Sequence, residues 1–269
     1  MSLRRSPLLY VFFETYQLTR QRELLESVIG LPIIEVEPHQ PHHRHGVIKY
    51  DAGNVIISLN LSTASRFGKG GSDALATVFT VDQAQPIGER LRNEESLATA
   101  HGGGLFTDLH GHHYIFPSGP AGRAAHLNWP AIDELRLTVG DLATSVSYYR
   151  DVLGLELLEQ AESTARFATG TVRLALEQDR VVADGGRPRH NAYLLVFHTS
   201  DIDRTHAALI QRGLTFKNRR VGFSEIGGTI RFEDPSGHRF CLYEPSAESL
   251  SWGSGRKVME IVAGRVMAS

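Results

Sequence analysis

Six residues in the second half of the chain carry chemistry: Glu134, Arg136, His198, Arg239, Cys241 and Tyr243. Glu134 and Arg136 alternate with Leu135, Leu137 and Val139, the period-2 pattern of a strand with one buried face. The other four fall in the same alternation on later strands, so all six are expected opposite the packed face. Charged groups inside a cavity are costly unless paired or used. In one reading, an Arg136–Glu134 or Arg239–Glu134 ion pair merely fills the space. In the other, the guanidiniums make a cationic pocket for an anionic or oxygen-rich small molecule. His198 is then a candidate general base, because imidazole titrates near neutrality, and Glu134 is the second candidate catalytic group. A satisfied structural histidine is the competing role for His198. Cys241 reads first as a small buried hydrophobe and only second as a nucleophile.

Other histidines cluster as His39, His42, His43 and His45, and as His110, His112 and His113. Neither group has carboxylates at ligand spacing, so both are expected to be solvated, with metal capture between them as the alternative. Lys217, Arg219 and Arg220 form a short basic run, read as a solvated face. The 269 residues hold 28 Lys plus Arg against 30 Asp plus Glu, a net charge of −2. That balance gives no electrostatic reason to expect nucleic acid or an anionic membrane as partner. No apolar run approaches the roughly 18 residues a membrane helix needs, and no signal-peptide pattern opens the chain. The single cysteine excludes an intramolecular disulfide and a thiolate zinc cluster. The expectations are a cytoplasmic protein, a small-molecule partner, and a homodimer as the oligomer to consider.

The elements that position these residues repeat. Residues 133–159 read as a strand, a Gly140-Asp141 break, a helix with Leu142, Val146, Tyr149 and Leu153 on one face, a stop at Gly154, and a second strand. Val28–Glu35 matches Val152–Glu159, Lys49–Val55 resembles Arg166–Val172, and Phe106-Thr-Asp108 with Gly111 matches Phe232-Glu-Asp234 with Gly237. These ordered matches indicate a duplication with a period of about 120 residues, too long for a solenoid. Strands are expected at 9–15, 33–37, 47–50, 55–59 and 74–81, with helices at 20–27 and 85–95 and a last pair of strands after Gly102-Gly103-Gly104. The second half repeats this order, with strands at 135–139, 156–159, 165–168, 172–177, 192–199, 228–232 and 239–243 and a helix at 202–212. The breaker-rich segment after Pro117 is the linker. The domains are therefore expected at 1–117 and 132–248, joined by 118–131. A tail, 249–269, shows a weak helical pattern through Val258, Ile261, Val262 and Val266.

The second half resembles the vicinal-oxygen-chelate superfamily, which includes glyoxalase I, bleomycin-resistance proteins, fosfomycin-resistance enzymes and extradiol dioxygenases. The resemblance rests on Leu137-Thr-Val-Gly-Asp-Leu142, Tyr148-Tyr-Arg-Asp-Val-Leu-Gly-Leu155, Ser200-Asp-Ile-Asp203, Phe232-Glu-Asp-Pro-Ser-Gly-His238 and Leu242-Tyr-Glu-Pro245. The first half is a weaker match, through Val28–Glu35, Val81-Asp82 and Phe106–Phe116. The resemblance implies an α+β fold. It would hold two tandem domains of paired βαβββ modules, each a cupped, mixed or antiparallel eight-stranded sheet with helices on the outer face.

Metal-binding members of that superfamily place three His or Glu ligands in the cup. Here the resemblance puts Glu134, Leu194 and Cys241 at those positions in one cup, and Tyr10, Ala76 and Ile115 in the other. Leu, Ala and Ile offer no donor, so no cofactor is expected, the alternative being divalent Fe, Mn, Zn or Ni on atypical ligands. The second cup, with its ionisable groups, is expected to be the working one. The first, with Phe12 and Val78 beside Tyr10 and Ile115, is expected to be mainly structural. The function implied is binding of a small organic molecule in the C-terminal cup without the usual metal. The alternatives are a metal-dependent dioxygenase or glyoxalase-type lyase, or a metal-independent acid–base enzyme.

Overall fold

The structure is a computed structural model that describes residues 3–37, 47–62, 74–81, 84–117, 127–179, 193–218 and 220–264. The loop with His39, His42, His43 and His45, residues 118–126 of the expected linker, Arg219 and Val266 lie outside the described residues.

Four βαβββ modules follow one another. The first is β1 (Leu8–Thr15), α1 (Leu18–Arg22) running into a π-helical stretch Glu23–Ile29, then β2 (Ile33–Glu37), β3 (Val47–Asp51) and β4 (Ile56–Leu61). The second is β5 (Leu75–Thr80), α2 (Ala84–Asn93), β6 (Ala98–Gly102), β7 (Leu105–Asp108) and β8 (His113–Ile115). The third is β9 (Ala131–Val139), α3 (Leu142–Ser147) with its π-helical continuation Tyr148–Val152, then β10 (Glu156–Gln160), β11 (Thr164–Ala168) and β12 (Arg173–Gln178). The fourth is β13 (Tyr193–His198), α4 (Ile202–Gln211), β14 (Gly222–Ser224), β15 (Gly227–Glu233) and β16 (Arg239–Pro245). Two short helices close the chain, α5 (Ala247–Ser251) and α6 (Gly255–Val262).

Local chemistry sets these boundaries. Asp141 and Asp201 cap α3 and α4, accepting from the amides of Thr144 at 3.0 Å and Arg204 at 2.9 Å. Gly30 and Gly154 end the first and third helical segments with φ of 89° and 73°, a left-handed turn that disfavours a side chain. The repeated Phe-x-Asp motif builds one turn twice. Asp234 Oδ1 accepts from the His238 amide at 2.7 Å, and Asp108 Oδ1 from the His110 and His112 amides at 2.8 and 3.0 Å. His110 and His112 are therefore buried, 3% and 1% exposed, and not solvated as expected. The turn draws their side chains in, where His110 Nε2 meets Thr15 Oγ1 at 2.6 Å and His112 packs on Phe13.

The modules pair into two eight-stranded mixed sheets, in the orders β14-β15-β16-β13-β1-β4-β3-β2 and β10-β11-β12-β9-β5-β8-β7-β6. In each, the first strands of two modules lie antiparallel at the centre, β1 with β13 and β5 with β9. The α+β architecture of paired modules is as expected. The partnership is different. The first module shares a sheet with the fourth, and the second with the third, so each cup mixes strands from both sequence halves. The expected grouping of Tyr10 with Ala76 and Ile115, and of Glu134 with Leu194 and Cys241, is corrected accordingly.

The odd-numbered apolar residues Leu135, Leu137 and Val139, with Val11, Phe13, Leu195 and Phe197, belong to one buried cluster that also takes in Leu24 and Leu25, Leu91, Val146 and Leu209 from the helical segments. The side chains between them on each strand face the cups. No helix among the described residues is long and apolar enough to cross a membrane.

Candidate functional site

The cup of the β1–β13 sheet holds a cavity of about 430 Å³, lined from β1, β2, β3, β4, β13, β15, β16 and the tail. One register row crosses five strands: Ile56, Tyr10, Val196, Cys241 and Arg231 are successive cross-strand partners. Phe12 and Leu194 oppose one another in the next row. Tyr10 stands 5.5 Å from Phe12 and 6.2 Å from Tyr243, ring centre to ring centre, which makes an aromatic floor. Burial, with Tyr243 alongside, pushes the Tyr10 phenol well above its ordinary pKa. Burial likewise raises the Cys241 thiol to about 11, against the opposing pull of Arg231. Both are therefore neutral near neutral pH. The cations at this cavity are Lys49, Arg231 and Arg239, and the acids are Glu14, Glu35, Glu37 and Glu225.

The acids on β2 are committed. Lys49 Nζ, 7% exposed as a residue, meets Glu35 at 3.0 Å and Glu37 at 2.5 Å and donates to Ser254 Oγ at 3.0 Å. Burial alone would raise the Glu35 carboxyl, but Ser254 and Lys49 hold it below its ordinary value. No carboxylate pairs with Arg231 among the described residues.

The tail walls this cavity. Val258 and Ile261 are buried with Leu9, Tyr10, Ile56 and Val196. Ser249 receives the Tyr243 hydroxyl at 3.0 Å, Ser254 N donates to Glu35 at 3.1 Å, and Lys257 pairs with Asp51 at 2.9 Å. The weak helical pattern in the tail thus marks a segment that packs on the body.

Of the six residues singled out in the sequence, Arg239, Cys241 and Tyr243 line this cavity. His198 sits on β13 beside Tyr243 but outside the lining, and burial lowers its pKa, partly offset by Glu244. Glu134 and Arg136 lie in the other cup, where Glu134 is 2% exposed. Arg136 and Arg166 each reach a different Glu134 oxygen at 2.7 Å, and Arg173 stands at 3.8 Å. Arg136 also meets Glu177, and Arg166 meets Glu159. The expected Arg136–Glu134 ion pair is present, and Arg239 lies in the other cup. The partners Val78 and Ile115 share that cup, because Glu134 opposes Val78 and Val78 opposes Ile115.

Sequence reasoning missed Arg231, Lys49 and Trp252 in the site. Arg231 was legible, since Thr229, Arg231 and Glu233 alternate with Ile230 and Phe232. Lys217, read as solvated, is exposed and pairs with Glu233.

The three ligand positions implied by the resemblance become Tyr10, Leu194 and Cys241 in one cup and Glu134, Ala76 and Ile115 in the other. The first set offers a phenol, an alkyl group and a thiol, with neither a His nor a carboxylate among them. The second offers one carboxylate already clamped by two guanidiniums. Neither donor set fits the divalent centre of the superfamily.

A family model described as the Glyoxalase/Bleomycin resistance protein/Dioxygenase superfamily matches residues 131–242. Metallothiol transferase FosB of Staphylococcus epidermidis is 35% identical over 118 residues, covering 44% of this chain and 85% of that protein. Metallothiol transferase FosB of Lysinibacillus sphaericus is 28% identical over 116 residues, covering 41% of this chain and 79% of that protein. The crystal structure of glyoxalase I from Zea mays superposes with a TM-score of 0.68 at 17% identity, over 88% of this chain and 92% of that one, a likeness of fold.

Proposed function

The chain belongs to the Glyoxalase/Bleomycin resistance protein/Dioxygenase superfamily, and we propose that it binds a small organic anion in the β1–β13 cup without a divalent metal centre. The observation that carries this reading is Arg231. It stands beside Cys241 on the cavity wall, with Arg239 on the same face of the next strand, and no carboxylate pairs with it among the described residues. An anion drawn in would lie over an apolar floor of Tyr10, Phe12, Leu194 and Val196, the mix of apolar lining and few convergent polar groups that small-molecule sites have. The neighbouring cup, its guanidiniums already matched by carboxylates, offers an anion less.

Calorimetric titration with 1-naphthoate as the probe tests this. Arg231→Gln and Arg239→Gln should each weaken binding by about 1.5–3 kcal/mol, the range for a hydrogen bond to a charged group. Unchanged binding in both variants refutes the reading.

A second reading, a metal-dependent transferase, has the 35% identity to a metallothiol transferase in its favour. Elemental analysis of the purified protein decides between the two. Stoichiometric manganese, iron, zinc or nickel removes the first reading and leaves the second standing.

A further inference from the structure

The tail brings a second aromatic surface to the cavity. Trp252, between α5 and α6, lines it together with Tyr10, Phe12 and Tyr243. The indole is held from below. Lys49 Nζ lies 5.7 Å from its ring centre, a cation–π distance. That ammonium is itself fixed by Glu35, Glu37 and Ser254. The backbone that follows is held as well. The Ser254 amide donates to Glu35 at 3.1 Å. At Gly255 an added Cβ would meet the Leu250 carbonyl oxygen at 1.9 Å, so the chain can leave Trp252 only through a glycine. An indole lining the same cavity as Tyr10, Phe12 and Tyr243 offers a flat ring a stacking partner, since aromatic faces gain from offset or edgewise contact beyond the area they bury. Arg231 and Arg239 stand on the β15–β16 wall of the same cavity.

We propose that Trp252 is a specificity-determining residue that selects ligands carrying a planar aromatic ring next to their anionic group. This rests on the anion-binding reading of the cavity and narrows it to aromatic acids. Non-aromatic acids of the same size bind to the arginines but lose the stacking partner.

The test pairs 1-naphthoate with decahydro-1-naphthoate, its saturated counterpart of similar size and equal charge, titrated into the full chain. The wild type should prefer the aromatic acid by about tenfold. Trp252→Ala should abolish that preference, and Trp252→Phe should keep most of it. In a Trp129→Phe background Trp252 is the remaining indole, and its emission should change on adding 1-naphthoate. Equal affinity for the two acids in the wild type, or a preference that survives Trp252→Ala, overturns the proposal while leaving the anion site intact. Binding of neither acid overturns the anion-binding reading and the proposal with it. The Trp252→Phe variant and the emission change keep the test decisive if Trp252→Ala fails to fold.

Discussion

His238 should make the fold sensitive to acid by an amount that can be worked out. Its ring is fully buried, with Nε2 2.9 Å from the Thr138 carbonyl oxygen and Nδ1 2.5 Å from the Tyr193 hydroxyl. A neutral ring satisfies both contacts, donating from Nε2 and accepting at Nδ1. The Asp234 carboxylate is 4.0 Å from Nε2 and is engaged by the Tyr149 hydroxyl and the His238 amide. Burial lowers the pKa from the ordinary 6.5 to about 3, with the Thr138 carbonyl opposing. The unfolded chain therefore takes up a proton as pH falls through 6.5, whereas the folded chain does not until about 3. The contribution is fully present above the unfolded pKa and is lost progressively below it. Between about pH 7.5 and 5.5 protonation of the unfolded state costs about 1.4 kcal/mol of stability per such histidine. That figure depends only on the folded pKa lying well under 5.5. Urea unfolding of the wild type and His238→Gln at both pH values isolates it. The variant will be less stable overall, but its loss between the two pH values should be smaller than the wild type's by about 1.4 kcal/mol. An equal loss in both proteins would show that His238 is protonated in the fold or exposed to water, and would refute the reasoning.

In the second cup, Glu134→Gln should cost about 1.5–3 kcal/mol in urea unfolding, because Arg136 and Arg166 lose their shared carboxylate and keep only Glu177 and Glu159. The same change should leave 1-naphthoate affinity unaltered, since Glu134 belongs to the other cup. In the tail, Ile261→Ala should cost about 2–5 kcal/mol, the range for emptying a buried isoleucine site, measured by the same unfolding assay.

The elements were legible because their signals are local. Alternation placed Glu134 and Arg136 opposite Leu135 and Leu137, and glycines at 30 and 154 ended helical segments where left-handed turns occur. The resemblance carried the fold class, since the matched Phe-x-Asp turns and helix ends are what pair the modules' strands. The site was only half legible. Arg239, Cys241 and Tyr243 share one strand and stayed together. Glu134 and His198 separated, because repetition in a sequence says that modules are alike and not which ones become neighbours. That choice is made by contacts such as Phe12 with Leu194, distant in the chain and carrying no mark in either segment. The buried histidines at 110 and 112 were missed for a related reason: their turn is set by Asp108, and polarity alone reads as exposure.

The exchange of partners between modules has a consequence for how the protein is made. The second and third modules are adjacent in the chain, so their sheet can close while synthesis continues, across the single connection between β8 and β9. The first module emerges before the other three yet must wait for β13, and then for α6, the last helix described, before its cup is walled. Until then the apolar faces of β1 and β4 lack their final cover, and the pairing that relieves this is of high contact order, a slow class of folding step. Among the elements described the cavity is thus completed last, and a chain stopped before residue 246 would carry the strands of the site without the wall formed by Ser249, Trp252 and Ser254.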